Sequence, residues 1–466
     1  MLFSSIPFLY YFFPIVLIAY FAVPKFLKNS VILLSSLVFY AWGEPRFVIL
    51  MAITIAVGFV AGLLMEKAKT SALKRTAMIV SVAICLAFLG YFKYVDFFIE
   101  NFNAVTGLSV KLLNVALPIG ISFYTFQVIS YIVDVYRGSV GAQHNVINFA
   151  AYVTMFPQLI AGPIVRYSDI ARQLESRNHS IEQISYGIRR FVIGLGKKVL
   201  IANTLGELCD IFKASDDKTV LFYWVYAIAF SLHIYFDFSG YSDMAIGIGH
   251  IFAFKFIENF DHPFISSSIT EFWRRWHMSL GSWFRDYVYI PLGGNRVSKL
   301  RWFFNIFVVW ALTGFWHGAE WNFIIWGLMF GILLVIEKVW LLDKLKKTKV
   351  INHIYVMFFV LISFVIFNAS SMNEAFSYIG GMFGAGGIKF ASQECFYYLR
   401  SYGIMLVIGI IGSTPLIKNV CLKLEAGQKS SKIINVLEPV ALAAILILCT
   451  AFLVDGSFNP FLYFRF

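Results

Sequence analysis

Trp302-Phe-Phe-Asn-Ile-Phe-Val-Val-Trp-Ala-Leu-Thr-Gly-Phe-Trp-His317-Gly-Ala-Glu-Trp-Asn-Phe-Ile-Ile-Trp-Gly-Leu-Met-Phe-Gly-Ile-Leu-Leu-Val-Ile336 is apolar over most of its length. As one helix it would be about 50 Å long, against a bilayer hydrocarbon core of about 30 Å. The run is therefore expected to fold as two segments hinged near Gly314 to Glu320, where glycines permit close backbone approach. Its centre carries His317, an ionisable group inside an apolar run.

The rest of the chain extends this pattern. Of its 466 residues 59% are hydrophobic and 14% charged, against about 45–50% and about 25% in soluble domains. The mean hydropathy is +0.75. At about 20 apolar residues per span, the chain predicts an all-α, polytopic membrane protein with about 10–12 transmembrane helices. It reads as one membrane-embedded domain over 1–466 with no separate soluble domain. The net charge of +12 sits in short gaps between apolar runs: Lys67 to Arg75, Arg166 to Arg190, Lys344 to Lys349 and Lys418 to Lys432. That is the positive-inside pattern, so the basic residues imply a lipid bilayer and not nucleic acid. The five cysteines show no paired spacing and imply neither a disulfide framework nor a zinc site.

Ser5 to Pro24 reads as a retained first span and not a cleaved signal peptide. Lys25 and Lys28 then place the N-terminus outside. Further spans are expected at Val31–Trp42, Phe47–Met65, Ala77–Phe97, Leu117–Val135, Phe191–Asn203, Val220–Phe236, Ile354–Ala369, Tyr402–Ile417 and Val436–Val454. Phe149 to Ile164 is short and interrupted by Pro157 and Gly162-Pro163. It reads as re-entrant, an irregular backbone that must be covered by protein.

Three constellations carry candidate chemistry. Thr313 to Asn322 holds Trp316, His317 and Asn322; an imidazole there serves general-base catalysis or is a core histidine satisfied by a carbonyl. Glu271 to Tyr287, read as one amphipathic helix, sets Trp273, Trp276, Leu280, Trp283 and Tyr287 on one face and Arg274, His277 and Arg285 on another. It is either an interfacial anchor or the mouth of a cavity attracting an anionic, phosphate-bearing donor. His233 and Asp237 share a helical face, but no third ligand is near; a buried hydrogen-bonded network suits them better than a metal site. Walker, Rossmann, G-x-S-x-G and H-E-x-x-H signatures are missing.

At these residues the chain resembles the membrane-bound O-acyltransferase family, in its bacterial alginate, peptidoglycan and cellulose O-acetylation branch. The strings are Leu117-Pro-Ile-Gly-Ile-Ser-Phe-Tyr-Thr-Phe-Gln127, Phe156-Pro-Gln-Leu-Ile-Ala-Gly-Pro-Ile-Val-Arg166 and Tyr235-Phe-Asp-Phe-Ser-Gly-Tyr-Ser-Asp243. They continue with Glu271 to Leu280, Trp283 to Gly294, Thr313 to Asn322 and the ending Phe458 to Phe466. The resemblance implies a helical fold around a central cavity with re-entrant and interfacial helices. It implies His317 as the essential histidine and His277 as the second histidine of the motif. From the three constellations themselves, Arg274, Arg285, Asp237, Trp316 and Asn322 are expected to line the cavity. The implied reaction carries an acetyl group from a cytoplasmic donor, acetyl-CoA, towards an extracytoplasmic polysaccharide at the bacterial inner membrane, with no bound cofactor and no metal. A separate extracytoplasmic, esterase-like acetyltransferase is expected as partner, since no segment is left to grip a polymer. Two alternatives stay open: D-alanyl transfer to teichoic acids, and a non-catalytic transporter of acyl groups.

Overall fold

In the computed structural model, which describes residues 1–426, 428–456 and 462, every regular element among the described residues is helical. Among the described residues eight helices are long and apolar enough to cross a membrane, and the shorter Phe8–Ala22 is apolar as well. The described chain falls into two compact units, 1–191 with 244–257, and 192–243 with 258–466.

The first unit contains α1 (Phe8–Ala22), α2 (Lys28–Gly43), α3 (Val48–Lys67) and α4 (Ser71–Thr106). They are followed by α5 (Ile121–Arg137), α6 (Val146–Thr154), α7 (Phe156–Leu159) and α8 (Tyr167–Glu175). α5 is buried on nearly all sides. Gly58 and Gly62, one turn apart on α3, make room for it. A Cβ on Gly58 would come within 2.7 Å of Val128, and one on Gly62 would collide with the Tyr131 hydroxyl. Small residues at this spacing let membrane helices approach closely.

The interrupted stretch Phe149 to Ile164 is two short helices broken at Met155, with non-helical backbone after Leu159. Its freed polar groups are paired: Phe156 N–H donates to Ser36 Oγ at 3.0 Å, and Tyr152 Oη donates to Val165 O at 3.2 Å. Nearly every residue of it is buried, as irregular backbone at membrane depth requires.

α9 (Ile181–Gly196) begins in the first unit. The second unit then contains α10 (Asn203–Ala214), most of α11 (Val220–Ile251), α12 (Ile269–Arg275), α13 (Met278–Phe284), α14 (Lys299–His317) and α15 (Trp321–Ile336). α16 (Ile351–Asn368), α17 (Met372–Met382), α18 (Gln393–Gly412), α19 (Leu416–Glu425) and α20 (Gln428–Val454) complete it. α14 and α15 are the two halves of the long apolar run, and the chain turns between His317 and Trp321, inside the expected hinge. Glycines close the hairpin: a Cβ on Gly314 would strike the Phe323 carbonyl, and one on Gly327 the Trp310 carbonyl.

Several expected spans are longer in the structure, and Ala77–Phe97 lies within continuous helix from Ser71 to Thr106. Val220–Phe236 continues to Ile251, and Phe191–Asn203 lies within continuous helix from Ile181 to Ala214. These last two helices are joined by a buried ion pair, Lys198 Nζ meeting Asp237 Oδ1 at 2.6 Å with both side chains about 1% exposed. The C-terminal string Phe458 to Phe466 lies outside the described residues, Leu462 excepted.

The Gly62 contact leaves no room for a side chain. Gly62→Leu should lower the stability of the detergent-solubilised protein by about 1–3 kcal/mol through overpacking, read as a fall in thermal midpoint; an unchanged midpoint would count against this packing.

Candidate active site

The stretch Glu271 to Tyr287 is not the single amphipathic helix its periodicity implies. It breaks at Trp276-His277 into α12 and α13, and His277 takes a left-handed backbone with φ of 44°. The tryptophans therefore do not form one continuous stripe. The break has a tertiary cause. Asn259 O accepts from Met278 N (3.0 Å), and Asn259 Oδ1 accepts from Ser279 N (3.2 Å) and Ser279 Oγ (2.9 Å). Such a conformation is costly for a non-glycine residue and persists only where the surroundings impose it.

The same Asn259 Oδ1 lies 3.2 Å from His277 Nδ1. With Nδ1 as donor, the neutral ring presents Nε2 as an acceptor. Nε2 is buried and has no hydrogen-bond partner among the described residues. Burial pushes the His277 pKa down to about 3, because the charged imidazolium is disfavoured away from water.

His317 ends α14. Its ring is boxed edge-on by Trp326 (5.2 Å between centroids) and Phe367 (5.3 Å). The His277 ring is 6.4 Å away, and Trp316 flanks both at 5.0 Å from His317 and 6.0 Å from His277. His277, His317, Asp237, Trp326 and Leu462 line one narrow pocket of about 20 Å³. His277 also lines a wider cavity of about 500 Å³, together with Arg274, Arg285, Thr270, Ser282 and Thr313. His277 is thus the lining residue common to both.

Of the residues singled out in the sequence, His317, His277 and Asp237 meet at the narrow pocket, while Arg274, Arg285 and again His277 meet at the wide one. Arg285 is exposed and pairs with Asp286 at 2.7 Å. Asp237 is held by Lys198 and accepts from Leu462 N at 3.1 Å. One turn before it, His233 Nδ1 lies 2.6 Å from Ala202 O. No group of three metal-ligating side chains occurs among the described residues. Asn322 lines neither cavity; its Nδ2 donates to Ala369 O at 2.8 Å and ties α15 to the end of α16.

Sequence reasoning missed Asn259, Lys198 and Trp326. Lys198 carried a readable signal, a cation inside an apolar run. Asn259 carried none, because its importance comes from a contact with residues some twenty positions away.

Comparison with known proteins extends these observations. A family profile described as "MBOAT, membrane-bound O-acyltransferase family" matches residues 139–379. A probable alginate O-acetylase AlgI of Azotobacter vinelandii is 38% identical over 502 residues, covering 100% of both chains. The corresponding protein of Pseudomonas aeruginosa is 44% identical over 395 residues, 83% of this chain and 75% of that one. A peptidoglycan O-acetyltransferase of Helicobacter pylori is 32% identical over 514 residues, 100% of this chain and 98% of that one.

The His277 environment sets a pH dependence. An unfolded histidine takes a proton below about 6.5, whereas the folded ring does so only near about 3. This site therefore costs stability as pH falls through that window. Above it the ring stays neutral, so His277→Gln should leave the shape of the pH–rate profile between about pH 5 and 9 unchanged. A limb near pH 6.5 that disappears in His277→Gln would contradict the neutral assignment.

Proposed function

The chain belongs to the membrane-bound O-acyltransferase family, and from that premise we propose that it moves an acetyl group from cytoplasmic acetyl-CoA across the membrane for O-acetylation of an extracytoplasmic polysaccharide. One observation carries the chemistry: two buried histidines, with ring centroids 6.4 Å apart, of which His277 lines both an arginine-flanked cavity and the narrow pocket holding His317.

In this reading the donor enters the wide cavity, its phosphates drawn to Arg274 and Arg285 while the thioester arm reaches inward. His317 accepts the proton of the attacking hydroxyl as its oxygen adds to the thioester carbonyl. The neutral Nε2 of His277, which can only accept, orients the acceptor molecule through a second donor group and leaves the attacking O–H to His317. Trp326, whose buried indole N–H has no acceptor among the described residues, supplies a donor for the developing oxyanion. The thiolate of CoA then leaves with a proton, and the aromatic box around His317 keeps bulk water from the acyl group.

The names of the relatives favour acetyl as the group moved and a polysaccharide as its destination. Between its spans the chain offers no long polar segment with which to hold a polymer, so a separate extracytoplasmic, esterase-like acetyltransferase is the expected recipient.

His317→Ala should lower acetyl transfer in reconstituted vesicles by about 10²–10⁴ while the protein still inserts and accumulates; full transfer by a well-expressed variant would remove His317 from the chemistry. Purified protein with acetyl-CoA alone should leave polysaccharide unmodified, as read by mass spectrometry of the polymer, and O-acetylation without any other protein would dispose of the partner.

A further inference from the structure

Glu337 is a carboxylate with no exposed surface, set one residue beyond α15 inside the candidate span Trp321–Leu345. A carboxylate buried inside an apolar span is costly unless partnered, so what it binds is informative. Its two oxygens receive three hydrogen bonds from the start of α12, Ile269 N at 2.6 Å, Thr270 N at 2.8 Å and Thr270 Oγ1 at 2.6 Å, and Tyr355 of α16 faces the same carboxylate. The next N–H of that turn, from Glu271, goes to Ser268 Oγ at 3.0 Å. The first turn of α12 is thus fully satisfied, by one local cap and one carboxylate delivered from another helix.

A local cap would satisfy N–H groups without fixing where α12 lies along α15. A carboxylate carried by α15 fixes both. From that anchor the two helices run antiparallel in contact: Trp273 packs on Phe330 (4.9 Å) and then on Trp326 (5.6 Å), and Trp326 packs on His317. The stretch of α15 between positions 326 and 337 is about 16 Å long, and α12 covers most of that distance before the break that presents His277. A slip of one helical turn, about 5.4 Å, nearly equals the 6.4 Å between the two histidine rings.

We propose that Glu337 is a positioning residue that sets the register of α12 on α15 and so places His277 against His317. The proposal rests on the reading of these histidines as the reactive pair.

The full chain in vesicles, with acetyl-CoA as the probe, provides the test. Glu337→Gln presents an amide N–H to a cluster of donors and should lower kcat about 10- to 100-fold, as misplaced reacting groups do, with KM for acetyl-CoA within about twofold. In a His277→Gln background the same substitution should cost less than about twofold, because its effect runs through the ring already removed. Equal losses in both backgrounds, or a loss confined to KM, would overturn the proposal. Thr270→Val, which deletes one of the three hydrogen bonds, carries the same comparison if Glu337→Gln does not accumulate. A readout without turnover separates this claim from the functional reading: the thiol introduced by His277→Cys should change its labelling rate by a soluble thiol reagent at least about threefold when Glu337→Gln is added, since access governs reactivity. An unchanged rate removes the positioning role. Full turnover in both His317→Ala and His277→Gln removes the functional reading instead, with the labelling result still deciding Glu337.

Discussion

The backbone contact between α14 and α15 is the constraint on which the site depends. Gly314 and Gly327 let the two helices approach to a distance no side chain would allow, and the turn between them holds His317 at the end of a helix instead of in the middle of one. Lipid offers little hydrophobic incentive for helices to associate, so close packing has to supply it. Once the hairpin is closed, Trp326 and Phe367 can form a wall around the imidazole, and α12 has a surface to lie along. The same device recurs on α3, where Gly58 and Gly62 admit α5.

A second constraint follows from solvent. Polar groups at membrane depth have only each other as partners, and several of the buried ones here are matched between segments distant in sequence. Lys198 with Asp237 and Asn259 with His277 join segments that are distant in sequence. The Lys198–Asp237 pair fixes geometry more than it adds stability, since desolvating two charges offsets most of their attraction. The two pairs account for a histidine held on strained backbone and for a carboxylate at the edge of a narrow pocket.

Most of the architecture was legible in the sequence, because hydropathy and glycine breaks are local signals. The hinge of the 302–336 run and the broken stretch after Phe149 both follow from where prolines and glycines interrupt apolar residues. The break at Trp276-His277 was not legible. Nothing in Trp-Arg-Arg-Trp-His-Met-Ser disfavours a helix, and the left-handed turn is imposed by Asn259 from another segment. Arg274, His277 and Arg285 nevertheless share a cavity, by way of two short helices instead of one. The extent of α11 was missed for the opposite reason: the expected span stops before Asp237, yet Lys198 neutralises that carboxylate, and Gly240 beyond it leaves room where a Cβ would come within 2.7 Å of the Gly194 carbonyl.

The last long helix behaves differently from the rest. Only 6% of the apolar window in Ile434–Val454 is buried by protein, whereas α11 is enclosed along most of its length. That helix leaves most of its apolar surface for lipid to cover. Its anchorage therefore varies with the amphiphile around it. Extraction into a short-chain detergent exchanges the medium that holds this helix and leaves the glycine-closed hairpin untouched, so the two parts of one chain have separate sensitivities to how the protein is handled.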